Sequence, residues 1–213
     1  MTPKHSLAVD PVLLHMLDFL DRISEGHEPN PLEERIRIRA LLDQGEAIVG
    51  AGREWDLTKY ALVSWIDEML VETTWSGREW WSNNVLEMEI FRSRLCNEQF
   101  YLFAKEASTL TRRDSLEVYY VCVVLGFRGL YRDPILSAMF AQQHGLPADM
   151  ATWAKQTALS IRLGHGRPPL SGPRREIRGA PPSKPRDRLV WPWLFASMLA
   201  AWNIIYLAWL MQS

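Results

Sequence analysis

Apolar residues recur every three or four positions through most of residues 1–163, a spacing that predicts amphipathic α-helices. Asp10–Pro11 is a helix-start signal, and the apolar stripe that follows it ends at Gly26. Asn30–Pro31 starts a second helix, which ends near Gly50. The same pattern predicts further helices at residues 56–73, 82–91, 95–108, 134–144 and 149–162.

Residues 118–125 are all apolar or aromatic, so periodicity alone cannot distinguish a buried strand from a buried helix there. No partner strand with turn signals lies nearby, and residues 111–114 resemble a capping box with Asp114 in the place of glutamate. We therefore expect this run to be the central helix of the core. The predicted fold class is all-α, a bundle of seven or eight helices over residues 1–163, which could be two three-helix subbundles packed together.

The last part of the chain has a different pattern, because residues 189–213 carry no charged side chain. At about 1.5 Å per residue, the segment 189–211 is long enough for a hydrocarbon core of about 30 Å. Trp191 and Trp193 lie at one end and Trp209 lies near the other, as expected for rings at the headgroup boundary. A buried core helix of this length would normally show a polar face. The pattern therefore predicts one C-terminal transmembrane helix.

Charge predicts which way this helix is inserted. Residues 164–188 are rich in Pro and Gly and carry seven Lys/Arg and two Asp/Glu, which indicates a flexible basic linker. The positive-inside rule then keeps the bundle in the cytoplasm, and the basic run is suited to contact anionic membrane lipid. Asn203 lies in mid-span, where its amide could pair with a second copy in a homodimer. Since residues 1–163 carry a net charge of −6, no nucleic-acid partner is expected.

Signatures of metal or cofactor chemistry are not evident in the sequence, and we predict neither a metal site nor a cofactor. The chain has no CxxC, HExxH, P-loop, GxGxxG or GxSxG motif. None of the histidines stands three or four residues from another: His5, His15, His27, His144 and His165.

The helix predicted at residues 56–73 contains polar groups in apolar surroundings. Asp67 and Glu68 are adjacent, so they point about 100° apart on a helix, and Glu72 lines up with Glu68 one turn later. Two interpretations remain open for this acidic pair. One is an internal ion pair with Arg78, Arg94 or Arg128, and the other is the acidic wall of a cleft that binds a basic partner.

Trp80 and Trp81 are the second candidate for partner binding. Both rings cannot point inward from the start of one helix or turn, so we expect one in the core and the other at the surface as an interface anchor.

Several long segments resemble the DotU/TssL family of secretion-system membrane subunits. They are YALVSWIDEMLVETTW, GREWWSNNVLEMEIF, RLCNEQFYLFAKEAS and RRDSLEVYYVCVVLGFRGLYRD, followed by the terminal hydrophobic helix. The resemblance covers about residues 7–163 plus the anchor, and it fits the type VI branch better than the type IVB DotU branch.

This resemblance implies a cytoplasmic helical bundle with a cleft and one C-terminal helix in the inner membrane. It implies a membrane complex with a large TssM/IcmF-like protein and a TssJ-like lipoprotein, and recruitment of a TssK-like baseplate protein. No enzymatic activity is implied. The family's acidic WxDE pair corresponds to Asp67 and Glu68 here. The alternatives are a tail-anchored membrane adaptor, a type IVB DotU-like stabiliser and, least favoured, a membrane-tethered enzyme.

Overall fold

The computed structural model describes residues 1–164 and 185–212, without the side chains of residues 136, 185–191, 203, 206, 208 and 210–212. The chain divides into two units, Met1–Pro168 and Pro169–Ser213.

The described part of the first unit is helical, which confirms the all-α fold class. Its α-helices are α1 (Pro3–Ser24), α2 (Pro31–Val49), α3 (Arg53–Glu72), α4 (Arg78–Asn83), α5 (Leu86–Phe91), α6 (Cys96–Ala107), α7 (Asp114–Val124), α8 (Pro134–His144) and α9 (Met150–Gly164). A short 3₁₀ helix, Gly129–Arg132, lies between α7 and α8.

The centre of the bundle is α3, on which α7 packs most extensively, with α4, α5 and α6 also against it. Helices α1 and α2 form a closely packed pair beside it. The prediction that residues 118–125 are a core helix rather than a strand is confirmed for residues 118–124, where Val118, Tyr119 and Cys122 are fully buried. The central position belongs to α3 rather than to α7. The α2–α3 contact depends on Gly45, whose missing side chain makes room for the Trp55 ring.

The start of α1 differs from the sequence prediction. The helix begins at Pro3 rather than near Asp10, and Pro11 lies inside it. Thr2 precedes the first turn, and both its backbone N–H and its hydroxyl donate to Asp114 at 2.7 Å. The carboxylate of Asp114 is therefore engaged by Thr2. By contrast, Asn30 caps α2 as predicted, accepting from the N–H of Leu32 at 2.9 Å.

One predicted helix, at residues 82–91, is two short helices, α4 and α5. Extended backbone at Val85 separates them. This break places the start of α5 directly against α3.

The second unit contains α10 (Pro185–Gln212), which includes the predicted segment 189–211 and begins four residues before it. Residues 165–184 of the predicted linker and the side chains of Trp191 and Asn203 lie outside the described residues. Trp193 and Trp209 are exposed. Within the parts of the chain that the structure describes, no helix carries an apolar stretch long enough to cross a membrane.

Candidate functional site: the acidic centre of α3

Asp67 lies inside the bundle and fixes the start of α5. Its side chain is 3% exposed. One carboxylate oxygen, Oδ1, accepts from the indole N–H of Trp81 and from the backbone N–H of Leu86, both at 2.9 Å. The other oxygen accepts from the N–H of Glu87 at 2.8 Å. Asp67 therefore binds N–H groups that the first turn of α5 would otherwise leave unpaired.

Glu68 binds the N–H groups at the start of a different element, the 3₁₀ helix. Its Oε1 accepts from the backbone N–H of Arg128 at 2.8 Å and from the guanidinium of Arg132 at 2.9 Å. Its Oε2 accepts from the N–H of Gly129 at 2.9 Å, at the start of the 3₁₀ helix. Arg132 also pairs with Glu72, which is exposed. Asp67 and Glu68 thus bind opposite loops, as expected for adjacent side chains that point about 100° apart on a helix.

The geometry favours the internal interpretation of the acidic pair. The arginine involved is Arg132, which the sequence analysis did not single out, and Arg128 contributes its backbone N–H. Whether the predicted residues Asp67, Glu68 and Glu72 bind a partner is a separate question, and that assignment stays a prediction. Of these three, only Glu72 offers an exposed carboxylate.

Glu87 is a third buried acid, and sequence reasoning missed it. It is 2% exposed, accepts from the Tyr60 hydroxyl at 2.7 Å, and accepts from the backbone N–H groups of Leu95 and Cys96 at 3.1 and 3.2 Å. It therefore caps α6 as Asp67 caps α5. Glu87 lies in the segment LEMEIF, where the apolar pattern does not mark it as buried. The residues whose N–H groups it binds follow a turn, and the apolar pattern does not predict that turn.

Burial controls the protonation of these groups. Burial raises the pKa of Asp67 to about 6, and the N–H donors of Glu87, Leu86 and Trp81 oppose that rise. The pKa of Tyr60 is raised well above its ordinary value by burial and by its hydrogen bond to Glu87. These groups are enclosed and hydrogen-bonded, so they are built to hold loops in place rather than to exchange protons with a substrate.

The two tryptophans occupy different environments. Trp81 is fully buried and donates to Asp67, whereas Trp80 is half-buried. The guanidinium of Arg35 lies over both rings, 5.7 Å from the Trp80 centroid and 5.8 Å from the Trp81 centroid. Trp80 is thus the ring that reaches the surface.

A cleft of about 360 Å³ lies between the start of α6, the 3₁₀ helix and α8, and we call it the α6–α8 cleft. Charged groups from Glu98, Arg132 and Asp133 line it together with the apolar side chains of Met139 and Phe140. Because Glu68 binds both Arg132 and the first turn of the 3₁₀ helix, the acidic centre of α3 sets the position of one cleft wall.

A separate group of residues has ligand chemistry. His5, Glu54 and Asp114, from α1, α3 and α7, each offer one atom that could bind a metal, and the three atoms lie within 4.8 Å of one another. These residues are 49 and 60 positions apart in the sequence, so spacing motifs could not reveal them.

Comparison with known proteins places this architecture in context. A family model described as "Type VI secretion system protein DotU" matches residues 6–212. Among solved structures, the chain is similar to the cytoplasmic domain of TssL from Acinetobacter baumannii, with a TM-score of 0.57 and 22% sequence identity, over 77% of this chain and 99% of that chain. At this identity, the likeness establishes a shared fold. A search of curated proteins gave no match.

Proposed function

Because the chain belongs to the DotU family of type VI secretion system proteins, we propose that it is a non-enzymatic scaffold subunit held at the inner membrane by α10. In this role the bundle lies in the cytoplasm and forms a complex with a TssM/IcmF-like protein and a TssJ-like lipoprotein. The bundle also recruits a TssK-like baseplate protein. The family match supports this most directly, because it extends across both the bundle and α10.

The use of the buried acids supports a scaffold over a membrane-tethered enzyme. An enzyme needs an acid, base or nucleophile that can reach a substrate. Both carboxylate oxygens of Asp67, Glu68 and Glu87 instead accept hydrogen bonds from the protein's own donors. Their role is to hold the short elements α5, α6 and the 3₁₀ helix against α3.

The α6–α8 cleft is the surface that we propose for the baseplate partner. Its lining combines the apolar side chains of Met139 and Phe140 with charged ones, as protein interfaces commonly do. Glu72 adds an exposed carboxylate beside Arg132. Glu68 holds this region from within, whereas Asp67 and Trp81 hold the other side of α3. The half-buried Trp80 is a second candidate anchor.

The sequence of α10 supports the membrane anchor. Its uncharged segment 189–211 spans about 35 Å at the usual helical rise. Its described side chains from Pro192 onward are exposed, and a large exposed apolar surface typically marks a lipid or protein contact. The net charge of +5 in residues 164–188 favours leaving the bundle inside. Trp191, Trp193 and Trp209 would lie at the boundaries, and Asn203 is suited to a homodimer contact.

Truncation tests the anchor. A chain ending at Arg188 should leave the membrane fraction, whereas the full chain should resist both high-salt and alkaline washes. Reporter fusions at the two ends test the orientation. Persistent sedimentation of the truncated chain with membranes would contradict anchoring by α10.

Co-purification tests partner recruitment. The variant Met139→Glu with Glu98→Lys changes two exposed cleft residues and should lose the TssK-like protein while retaining the TssM-like protein. A matched control is Leu7→Glu with Glu33→Lys, since Leu7 and Met139 are 66% and 69% exposed, and each glutamate lies in the first turn of its helix. Equal recovery of the TssK-like protein with both double variants would rule out the cleft as its binding surface.

A further inference from the structure

His5, Glu54 and Asp114 form a cluster that the scaffold function does not explain. His5 and Asp114 are 2% and 3% exposed, and Glu54 is half-buried. Two carboxylates and one imidazole therefore meet where three helices converge, with ligand-type atoms within 4.8 Å of one another. Zinc binds nitrogen and carboxylate ligands at about 2.0–2.2 Å, so the atoms need to approach by only about 1–1.5 Å to surround it.

Glu54 contributes the observation that points most directly to cation binding. Its Oε1 atom is buried and has no hydrogen-bond partner among the described residues. Buried carboxylate oxygens are normally paired, because an unpaired one loses its hydration without compensation. A bound cation would supply that compensation.

The hydrogen bonds of His5 leave a nitrogen lone pair for a metal. The hydroxyl of Thr58 donates its single hydrogen to the backbone carbonyl of Glu54 at 2.9 Å. The same hydroxyl lies 2.9 Å from Nε2 of His5, an arrangement that fits the tautomer in which Nε2 donates to the hydroxyl. In a neutral imidazole, Nδ1 then carries the lone pair. Metal-binding histidines characteristically donate their other N–H to a neighbouring acceptor in this way.

Asp114 is also held in orientation by a neighbour. Its two oxygens accept from the N–H and the hydroxyl of Thr2, both at 2.7 Å. Each carboxylate oxygen has two lone pairs, so these contacts leave acceptor capacity for a cation. Fixed ligand carboxylates of this kind are typical of metal sites.

We propose that His5, Glu54 and Asp114 bind one Zn²⁺ ion, which links the start of α1 to α3 and α7. Three protein ligands leave room for a water molecule as the fourth. The site is independent of the secretion role proposed above, and it would act as a structural link that holds α1 against the core.

The test uses the purified full chain in detergent, stripped with a chelator and then dialysed against Zn²⁺. The chain should take up one equivalent of Zn²⁺, and its melting temperature should rise with Zn²⁺ but not with Mg²⁺. Replacement by Co²⁺ should give the visible absorption of a four-coordinate site. Glu54→Gln should weaken Zn²⁺ binding by roughly tenfold or more. Its Oε1 makes no hydrogen bond, so the variant should still fold.

The matched control is Glu25→Gln with His27→Gln, an exposed histidine–glutamate pair with 3.7 Å between Nδ1 and Oε2. This control should bind Zn²⁺ as the parent chain does. Loss of binding in Glu54→Gln alone would support the site. No Zn²⁺ uptake by the parent chain, or equal affinity in the parent and Glu54→Gln, would overturn it.

Discussion

Asp67 and Glu68 are neighbours on α3, yet they stabilise different parts of the bundle by different means. Asp67 holds the start of α5 through neutral donors, the Trp81 indole and two backbone N–H groups. Glu68 holds the 3₁₀ helix and also pairs with the guanidinium of Arg132. One carboxylate is thus compensated by hydrogen bonds alone and the other by an additional positive charge. The same residue pair can therefore respond differently to mutation and to pH.

The largest effect should follow from removal of the Asp67 side chain. Asp67→Ala leaves three buried donors without an acceptor, so the free energy of unfolding should fall by about 4 kcal/mol. Chemical denaturation followed by circular dichroism measures this change. A loss below about 1 kcal/mol would mean that water reaches the start of α5 and replaces the carboxylate.

The pH dependence of the free energy of unfolding should distinguish the parent chain from a variant with a neutral side chain at position 67. The pKa of Asp67 is raised to about 6 by burial, so between about pH 4 and pH 6 the folded chain holds a proton that the unfolded chain has released. Rising pH over this range therefore favours unfolding. Relative to Asp67→Asn, the parent chain should lose about 3 kcal/mol of stability between pH 4 and 6 and change little above pH 6.

Parallel denaturation curves for the parent chain and Asp67→Asn at several pH values measure that difference. A constant difference across the range would show that the three donors keep Asp67 ionised throughout.

Mutation of Glu68 should lower the free energy of unfolding by less than mutation of Asp67. Its effect should be confined to the side of α3 that holds the 3₁₀ helix. Glu68→Gln keeps an acceptor for one backbone N–H but loses the charge that pairs with Arg132, which should cost about 2 kcal/mol. Hydrogen exchange should show lost protection at Arg128 and Gly129, with Leu86 and Glu87 unchanged. Asp67→Asn should show the opposite distribution. Equal loss at all four amides in both variants would mean that the two loops unfold together.

The sequence predicted the helices better than it predicted what joins them. Apolar periodicity and the Asn30 cap depend on residues within one or two turns, and these predictions agree with the structure except at residues 82–91, where the chain breaks at Val85. The start of α1 was missed because its first turn is fixed by Asp114, 112 residues away from Thr2. Glu87 and Arg132 were missed for the same reason, since each acts across a tertiary contact.

The divergence of Asp67 and Glu68 was predictable, because helical geometry alone sets the angle between adjacent residues. The N–H groups that each carboxylate binds could not be predicted, because they depend on where the chain returns to α3 after α4 and after α7. In this bundle the local rules identified Asp67 and Glu68 but not Glu87, and the tertiary fold decides which loop each acid holds.

The smallest effect on stability should come from Glu72. Its carboxylate and the Arg132 guanidinium are 48% and 47% exposed, and ion pairs in water contribute little because solvent screens both charges. Glu72→Gln should therefore change the free energy of unfolding by less than about 1 kcal/mol. Arg132 keeps its contact with Glu68 in this variant, so the cleft wall should stay in place.

The exposed Arg53–Glu106 pair offers a control, as Glu106→Gln should have a similarly small effect on stability. If Glu72→Gln matched Glu68→Gln in the denaturation experiment, the exposed acid would be as important to the 3₁₀ helix as the buried one, and the contrast between solvated and enclosed carboxylates on α3 would fail.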